Sequence, residues 1–147
     1  MTIREMKKED VPEVMTIQSA CPEIAQWTAR DYTRVADGDM AGWCAEESST
    51  VCGFLVARRV VNELEILNFA VQPGKRRRGF GRALLAEVLA WGRTLSADKA
   101  FLEVRVSNLA AIRSYEQNGF KVTGRRPRYY SAPIEDALVL TAGLAGS

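Results

Sequence analysis

The sequence predicts an α/β fold, a mixed central sheet with helices against its faces. Three observations carry that expectation. A chain of 147 residues, 47% hydrophobic and 26% charged, has the size and composition of a single domain, 1–147, that buries a core without disulfide or metal staples. Strand-like and helix-like runs follow one another in the order β-α-α-β-β-β-α-β-α-β-β. No repeat, low-complexity segment or linker divides the chain.

The first strand is expected over 2–6. A helix follows, with Asp10 as N-cap, Pro12 in its first turn and Glu13 completing a capping box, and Val14 and Ile17 on its buried side. Cys21-Pro22 breaks it, Trp27 lies in the ensuing loop, and Thr28 with Asp31 starts a second short helix that Gly38 stops. Strand-like runs at 42–46, 51–61 and 65–71 read as an antiparallel meander, its first turn made by Glu47-Ser48-Ser49. Pro73-Gly74 ends the third run. The next helix covers 81–95, with Leu84, Leu85, Val88 and Leu89 spaced for burial. Then come a strand at 100–106, a helix at 109–117 ended by Asn118-Gly119, and strands at 120–123 and 137–141. The remainder, 142–147, is expected to fray.

Composition excludes whole classes of chemistry. The chain has no histidine, so it has no Ser-His-Asp or Cys-His unit and no His-ligated zinc or iron; proton transfer falls to carboxylates, Tyr, Lys, Cys or water. Cys21, Cys44 and Cys52 are an odd count without CxxC spacing, which argues against a disulfide framework or zinc knuckle and suits a reducing cytosol. No metal is expected. No run approaches the roughly 20 apolar residues that span a bilayer, and Met1-Thr2-Ile3-Arg4 leads straight into structured-looking sequence. The expectation is a soluble cytoplasmic protein. A net charge of +2 is too small for a general nucleic-acid or membrane binder, although Lys75, Arg76, Arg77, Arg78 and Arg82 crowd together.

Two constellations carry chemistry. In Arg76-Arg77-Arg78-Gly79-Phe80-Gly81-Arg82, glycines and arginines stand between a strand and a helix N-terminus, where free N–H groups and the helix dipole favour a pyrophosphate. Phe80 stands where a Walker A loop needs Lys, and the spacing is not GxGxxG. A solvated basic turn is the alternative reading of the same residues. The second constellation is Glu103 in Leu102-Glu103-Val104-Arg105, then Asn108, then Tyr115. A carboxylate inside a strand faces water or a working site, and Phe101, Glu103 and Arg105 share one face. Read singly, these residues fit a surface ion pair, a helix N-cap and a packing aromatic.

Taken together, Asn68-Phe69-Ala70-Val71-Gln72-Pro73, Arg76-x-x-Gly79-x-Gly81 and Leu102-Glu103-Val104-Arg105-x-Ser107-Asn108-x-x-Ala111-Ile112-x-x-Tyr115-Glu116-x-x-Gly119-Phe120 resemble the acetyl-CoA-binding core of the GNAT acetyltransferases. More narrowly they resemble the bacterial ribosomal-protein-alanine N-acetyltransferases (RimI type). The likeness is dense from about Glu65 to Phe120 and continues through Arg128-Tyr129-Tyr130 and Glu135-Asp136-Ala137; the first 60 residues match in layout only.

The resemblance implies a single-domain GNAT fold whose fourth and fifth strands are parallel and splayed, with helices on both faces. It implies acetyl-CoA as cosubstrate: its pantetheine arm between those strands, bonded to the backbone of Phe69, Ala70 and Val71; its pyrophosphate cradled by Arg76, Arg77, Arg78, Gly79, Phe80, Gly81 and Arg82; and Asn108 beside it. Glu103 would take a proton from the acceptor amine, directly or through water, and Tyr115 would protonate the departing thiolate. The implied acceptor is a protein N-terminus, an alanine-first ribosomal protein, entering between the loop near Trp27 and the segment 128–134. Tyr129 would wall that entrance, and Glu23 or Glu135 would face basic peptide residues. Other acceptors in view are a small amine or lysine, and a CoA- or RNA-binding module without catalysis is the reading from another class. No membrane or stable nucleic-acid partner is expected. The sequence leaves the oligomeric state open, and a monomer fits it.

Overall fold

The computed structural model describes residues 1–38 and 40–144. Strands β1 (Thr2–Glu5), β2 (Ala41–Glu47), β3 (Thr50–Val60), β4 (Glu63–Val71), β5 (Lys99–Arg105), β6 (Lys121–Ser131) and β7 (Ile134–Gly143) form one sheet. Helices α1 (Val11–Ser19), α2 (Ala29–Ala36), α3 (Phe80–Thr94) and α4 (Leu109–Gln117) cover it. The strand order is β1-β2-β3-β4-β5-β7-β6; β4 and β5 run parallel, and the other neighbours are antiparallel. This is the mixed sheet expected from the sequence.

Two apolar cores lie on its two faces. Leu84, Leu85 and Val88 of α3 and Ile112 and Tyr115 of α4 pack with Leu55, Leu64, Ile66 and Leu102. Val14 and Ile17 of α1 and Tyr32 and Val35 of α2 pack with Phe54, Val56 and Ala70 on the other face. A bulge in β4 decides which side chains go where. Val56 faces Asn68 but Ala57 faces Ile66, so Leu67 is the extra residue. Because side chains alternate along a strand, the extra residue reverses the faces: Leu64 and Ile66 point to the α3 side, and Asn68 and Ala70 to the α1 and α2 side.

Three details differ from the sequence reading. Asp10 stands at the N-cap position of α1, as expected, but its side chain makes no cap bond there and no capping box with Glu13: a 3-10 turn, Lys8–Asp10, precedes the helix. Asp10 accepts the N–H of Lys7 (2.7 Å) and both terminal nitrogens of Arg4 (2.8 Å each), while Glu13 accepts the N–H of Val51 at 3.0 Å. A part-buried ion pair and a helix-to-strand bond won over the local motif. The last two strands, read as 120–123 and 137–141, form a longer hairpin because exposed β6 needs no apolar alternation to pair with β7. The frayed tail is also corrected. Ala142 and Gly143 belong to β7, and Leu144, 3% exposed, packs near Gly92 of α3; 145–147 lie outside the described residues.

Candidate active site

The sheet opens between β4 and β5. Their parallel pairing holds for three pairs only, Glu63↔Lys99, Leu64↔Ala100 and Glu65↔Phe101; past that point β5 stays with β7 as far as Arg105↔Ala137. The end of β4 therefore has β3 on one side and a gap on the other. The N–H of Gln72 donates to the carbonyl of Cys52 at 2.8 Å, and by antiparallel alternation Ala70 also turns its backbone toward β3. Phe69 and Val71 turn theirs toward the gap, so of the three backbone positions suggested by the sequence these two face it. Val71 offers its carbonyl to Nε of Arg76 at 3.2 Å.

The loop at the mouth of the gap is held by backbone geometry. Gly79 has φ +89° and Arg77 φ +63°, the left-handed region in which glycine is unstrained. At Gly81 the constraint is space: a Cβ there would stand 3.2 Å from Cζ of Phe69. Phe80 is buried in the core, which fixes the start of α3 and leaves only its backbone to the loop.

The arginine cluster divides into committed and free members. Arg76 pairs with Glu23 at 3.1 Å and reaches the thiol of Cys21. Arg78 donates to both oxygens of Glu47 at 3.1 Å and lies over the ring of Phe80. Arg77 and Arg82 are exposed and have no partner among the described residues. Asn68 Oδ1 accepts the Phe69 N–H at 3.2 Å, which leaves the Val71 N–H and the Phe69 carbonyl without a partner among the described residues; with two unpaired cations beside a glycine-relieved helix start, they fit a ligand that carries a pyrophosphate and an amide-bearing arm.

Glu103 and Tyr115 lie on opposite faces of the sheet. Leu102 and Val104 enter the α3-side core, so Glu103 points to the other face with its side chain 13% exposed. Its nearest cation is Arg126 of β6, whose Nε lies 2.8 Å from Oε2. Tyr115 is buried beside Phe69 and Phe120 at ring distances of 5.7 Å each. Burial pushes its phenol well above the ordinary value, so it stays protonated, and its hydroxyl bonds to nothing among the described residues. Asn108 caps α4, accepting the N–H of Ala111 at 3.3 Å; its amide nitrogen is left over.

A polar network that sequence reasoning missed supports the loop of Trp27. Asn68, brought to this face by the bulge, donates to the carbonyl of Ala25 (3.0 Å) and the hydroxyl of Tyr32 (2.9 Å). Tyr32 donates to Gln18, which bonds the backbone N–H and carbonyl of Trp27. The signal for it was a polar side chain inside a strand-like run. Trp27 stacks on Tyr32 at 5.3 Å and, with Asp31, Met40, Arg58 and Leu67, lines a cleft of about 270 Å³.

On β6, Tyr129 is 52% exposed and in edge contact with Tyr130. Burial first, and the Glu103 carboxylate second, push the Tyr129 phenol up; that of Tyr130 is pushed up to about 12, mainly by burial. Glu135 is occupied: it accepts the N–H of Ser107 (2.8 Å) and a nitrogen of Arg105 (3.1 Å), which hold its carboxyl below the usual range. Of the two acids suggested for the entrance, Glu135 is thus tied to the β5–α4 turn and Glu23 to Arg76.

Among the described residues no helix is long and apolar enough to cross a membrane, and no group of three or more Cys, Asp or Glu could hold a metal.

Comparison with known proteins agrees with this geometry. The acetyltransferase (GNAT) family model matches residues 5–120. The chain is 28% identical over 141 residues to the [ribosomal protein bS18]-alanine N-acetyltransferase of Escherichia coli K12, covering 95% of each chain. The crystal structure of the E. coli ribosomal-protein-S18-alanine N-acetyltransferase superposes with a TM-score of 0.85 at 26% identity, over 99% of this chain and 95% of that one. An N-alpha-acetyltransferase of Sulfurisphaera tokodaii is 31% identical over 157 aligned positions, 97% of this chain and 92% of its own. The chain belongs to the acetyltransferase (GNAT) family and is an acetyl-CoA-dependent N-acetyltransferase.

Proposed function

We propose that the protein acetylates the α-amino group of a protein N-terminus, with an alanine-first ribosomal protein as acceptor, in a ternary complex with acetyl-CoA. The observation that carries this reading is the likeness, over nearly the whole of both chains, to an enzyme named as a [ribosomal protein bS18]-alanine N-acetyltransferase. The N-alpha-acetyltransferase relative points to the same acceptor group.

In this reading acetyl-CoA supplies the activated acetyl group and the chain supplies position and protons. Phe69 and Val71 present backbone groups along the gap, and an N–H there meets the negative charge that gathers on the thioester oxygen. Arg77 and Arg82 meet the pyrophosphate. Glu103 takes one proton from the acceptor ammonium, directly or through a water. The amine nitrogen then bonds to the acetyl carbon, the carbon–sulfur bond breaks, and Tyr115 gives its proton to the sulfur; the second proton shed by the nitrogen passes to solvent, which reprotonates the Tyr115 phenolate. An α-amine with a pKa near 8 is neutral about one time in ten at pH 7, far more often than lysine, which eases the task of the base.

The test is a panel of peptides differing in their first residue, incubated with acetyl-CoA and read by mass spectrometry. Acetylation of Ala-first peptides at the α-amine, much faster than of the same peptides with a blocked N-terminus and a free lysine, is expected. Equal rates on blocked lysine peptides, or activity on free small amines alone, would overturn the reading.

A further inference from the structure

The Glu103–Arg126 contact is close but poorly aligned. Arg126 Nε lies 2.8 Å from Oε2, yet Oε2 is buried without a hydrogen-bond partner, so the N–H is not aimed at it. The two side chains also differ in freedom: Glu103 is 13% exposed and Arg126 56%. The neighbours of Arg126 are tied to Asp136, one by its side chain and one by its backbone. Arg125 donates to Asp136 at 2.7 Å, and the N–H of Arg128 donates to the same carboxylate at 2.9 Å. Past Arg126 the ladder with β7 breaks and resumes at Tyr130. A strand anchored to Asp136 on either side of Arg126 thus carries a solvated arm whose ion-pair partner among the described residues is Glu103.

We propose that Arg126 is a displaceable occupant of the seat taken by the acceptor ammonium, and so a specificity-determining residue. It covers Glu103 while no acceptor is bound and gives way to an acceptor that brings its own cation. The inference rests on Glu103 being the acceptor-facing carboxylate of the proposed function.

The chemistry favours such an exchange. A carboxylate this sheltered is costly without a counter-charge, which accounts for a resident cation. The guanidinium reaches in from β6 with a rigid fork, whereas an ammonium can turn any of three donors toward Oε2; exchange therefore gains the hydrogen bond that the resting pair lacks. None of the other groups near Glu103 is a free cation, although the Tyr129 hydroxyl is a neutral donor to its carboxylate. Tyr129 and Tyr130 of β6 are uncharged phenols at neutral pH, Glu65 of β4 is paired with Arg58 at 2.9 Å, and Arg105 of β5 is held by Glu135. A neutral acceptor would leave Arg126 in place.

The experiment follows the Arg126 Nε–H by NMR in the full chain with CoA bound, the signal assigned by its loss in Arg126→Gln. An Ala-first peptide should move it to the position and exchange rate of free arginine, and the same peptide N-acetylated should leave it unmoved. In kinetics Arg126→Gln should lower the acceptor KM roughly two- to fivefold, the range of a solvated ion pair, with a smaller change in kcat, and Arg126→Lys should restore most of the KM. A signal that the free-amine peptide does not move, or a variant whose kcat falls with KM unchanged, overturns the exchange. Displacement of Arg126 by the peptide without acetylation would support the exchange and defeat the N-terminal reading; acetylation without displacement would do the reverse.

Discussion

The rings of Phe69 on β4 and Tyr115 on α4 lie 5.7 Å apart and are tilted by 49°, so the open edge of the sheet and the candidate acid share one aromatic contact. Tyr115→Phe keeps that packing and removes a hydroxyl that holds nothing together. It should cut kcat by about 10²–10⁴ while shifting the thermal midpoint little. Tyr115→Ala should instead destabilise the fold by roughly 3–5 kcal/mol, so calorimetry beside kinetics separates acid from packing residue.

Glu103→Gln should reduce turnover by about 10²–10⁴ with acetyl-CoA affinity near normal. The loss should be greatest at low pH, where the acceptor amine is protonated, and smaller above pH 8, where an α-amine is neutral unaided. A pH–rate profile from 6 to 9.5 checks this. Full activity throughout would make Glu103 a structural residue.

Acetyl-CoA should raise the melting temperature, since a ligand bound only by the folded state stabilises it by mass action. Gly81→Val should abolish the shift, because even a Cβ presses on Phe69. Gly79→Ala costs about 1–2 kcal/mol for its left-handed backbone, with a weakened shift. Differential scanning fluorimetry with and without ligand reads both.

Arg77→Gln and Arg82→Gln should each weaken acetyl-CoA binding several-fold and flatten its dependence on salt, because these two side chains act as unpaired charges. Titration calorimetry at two ionic strengths measures it. Glu47→Gln, which frees Arg78, should change the salt dependence less.

Asp10 is held below the usual carboxylate value chiefly by its hydrogen bond from Arg4. A carboxylate depressed in the folded state adds stability above its unfolded pKa, about 3.9, and loses it as pH falls through the folded value. Arg4→Met should therefore cost roughly 1–3 kcal/mol at pH 7 and progressively less below pH 4. Urea unfolding at pH 7 and pH 3 gives the comparison.

What the sequence disclosed depended on how local each cause was. Thr28 and Asp31 exchange hydrogen bonds three residues apart, and α4 spans the expected 109–117; their determinants lie within one turn. Gly79 and Gly81 were readable because glycine spacing at a helix start is itself a pattern. Asp10 misled because Arg4 and Glu46, the second from another strand, hold it in a network. The role of Asn68 was hidden because it needs the bulge at Leu67, a property of how β3 and β4 register and not of either strand. Arg126 was passed over because a charged residue on an exposed strand looks like any other until its neighbour is known.

The short pairing of β4 with β5 has a mechanical consequence. A sheet joined at three register pairs along its central seam is two half-sheets sharing a hinge, and whatever fills the gap with amide groups behaves, in hydrogen-bonding terms, as an eighth strand. The donor would then finish the architecture as well as supply the acetyl group, so that each turnover removes and replaces a piece of the fold. Stiffness across the seam would rise and fall with the catalytic cycle.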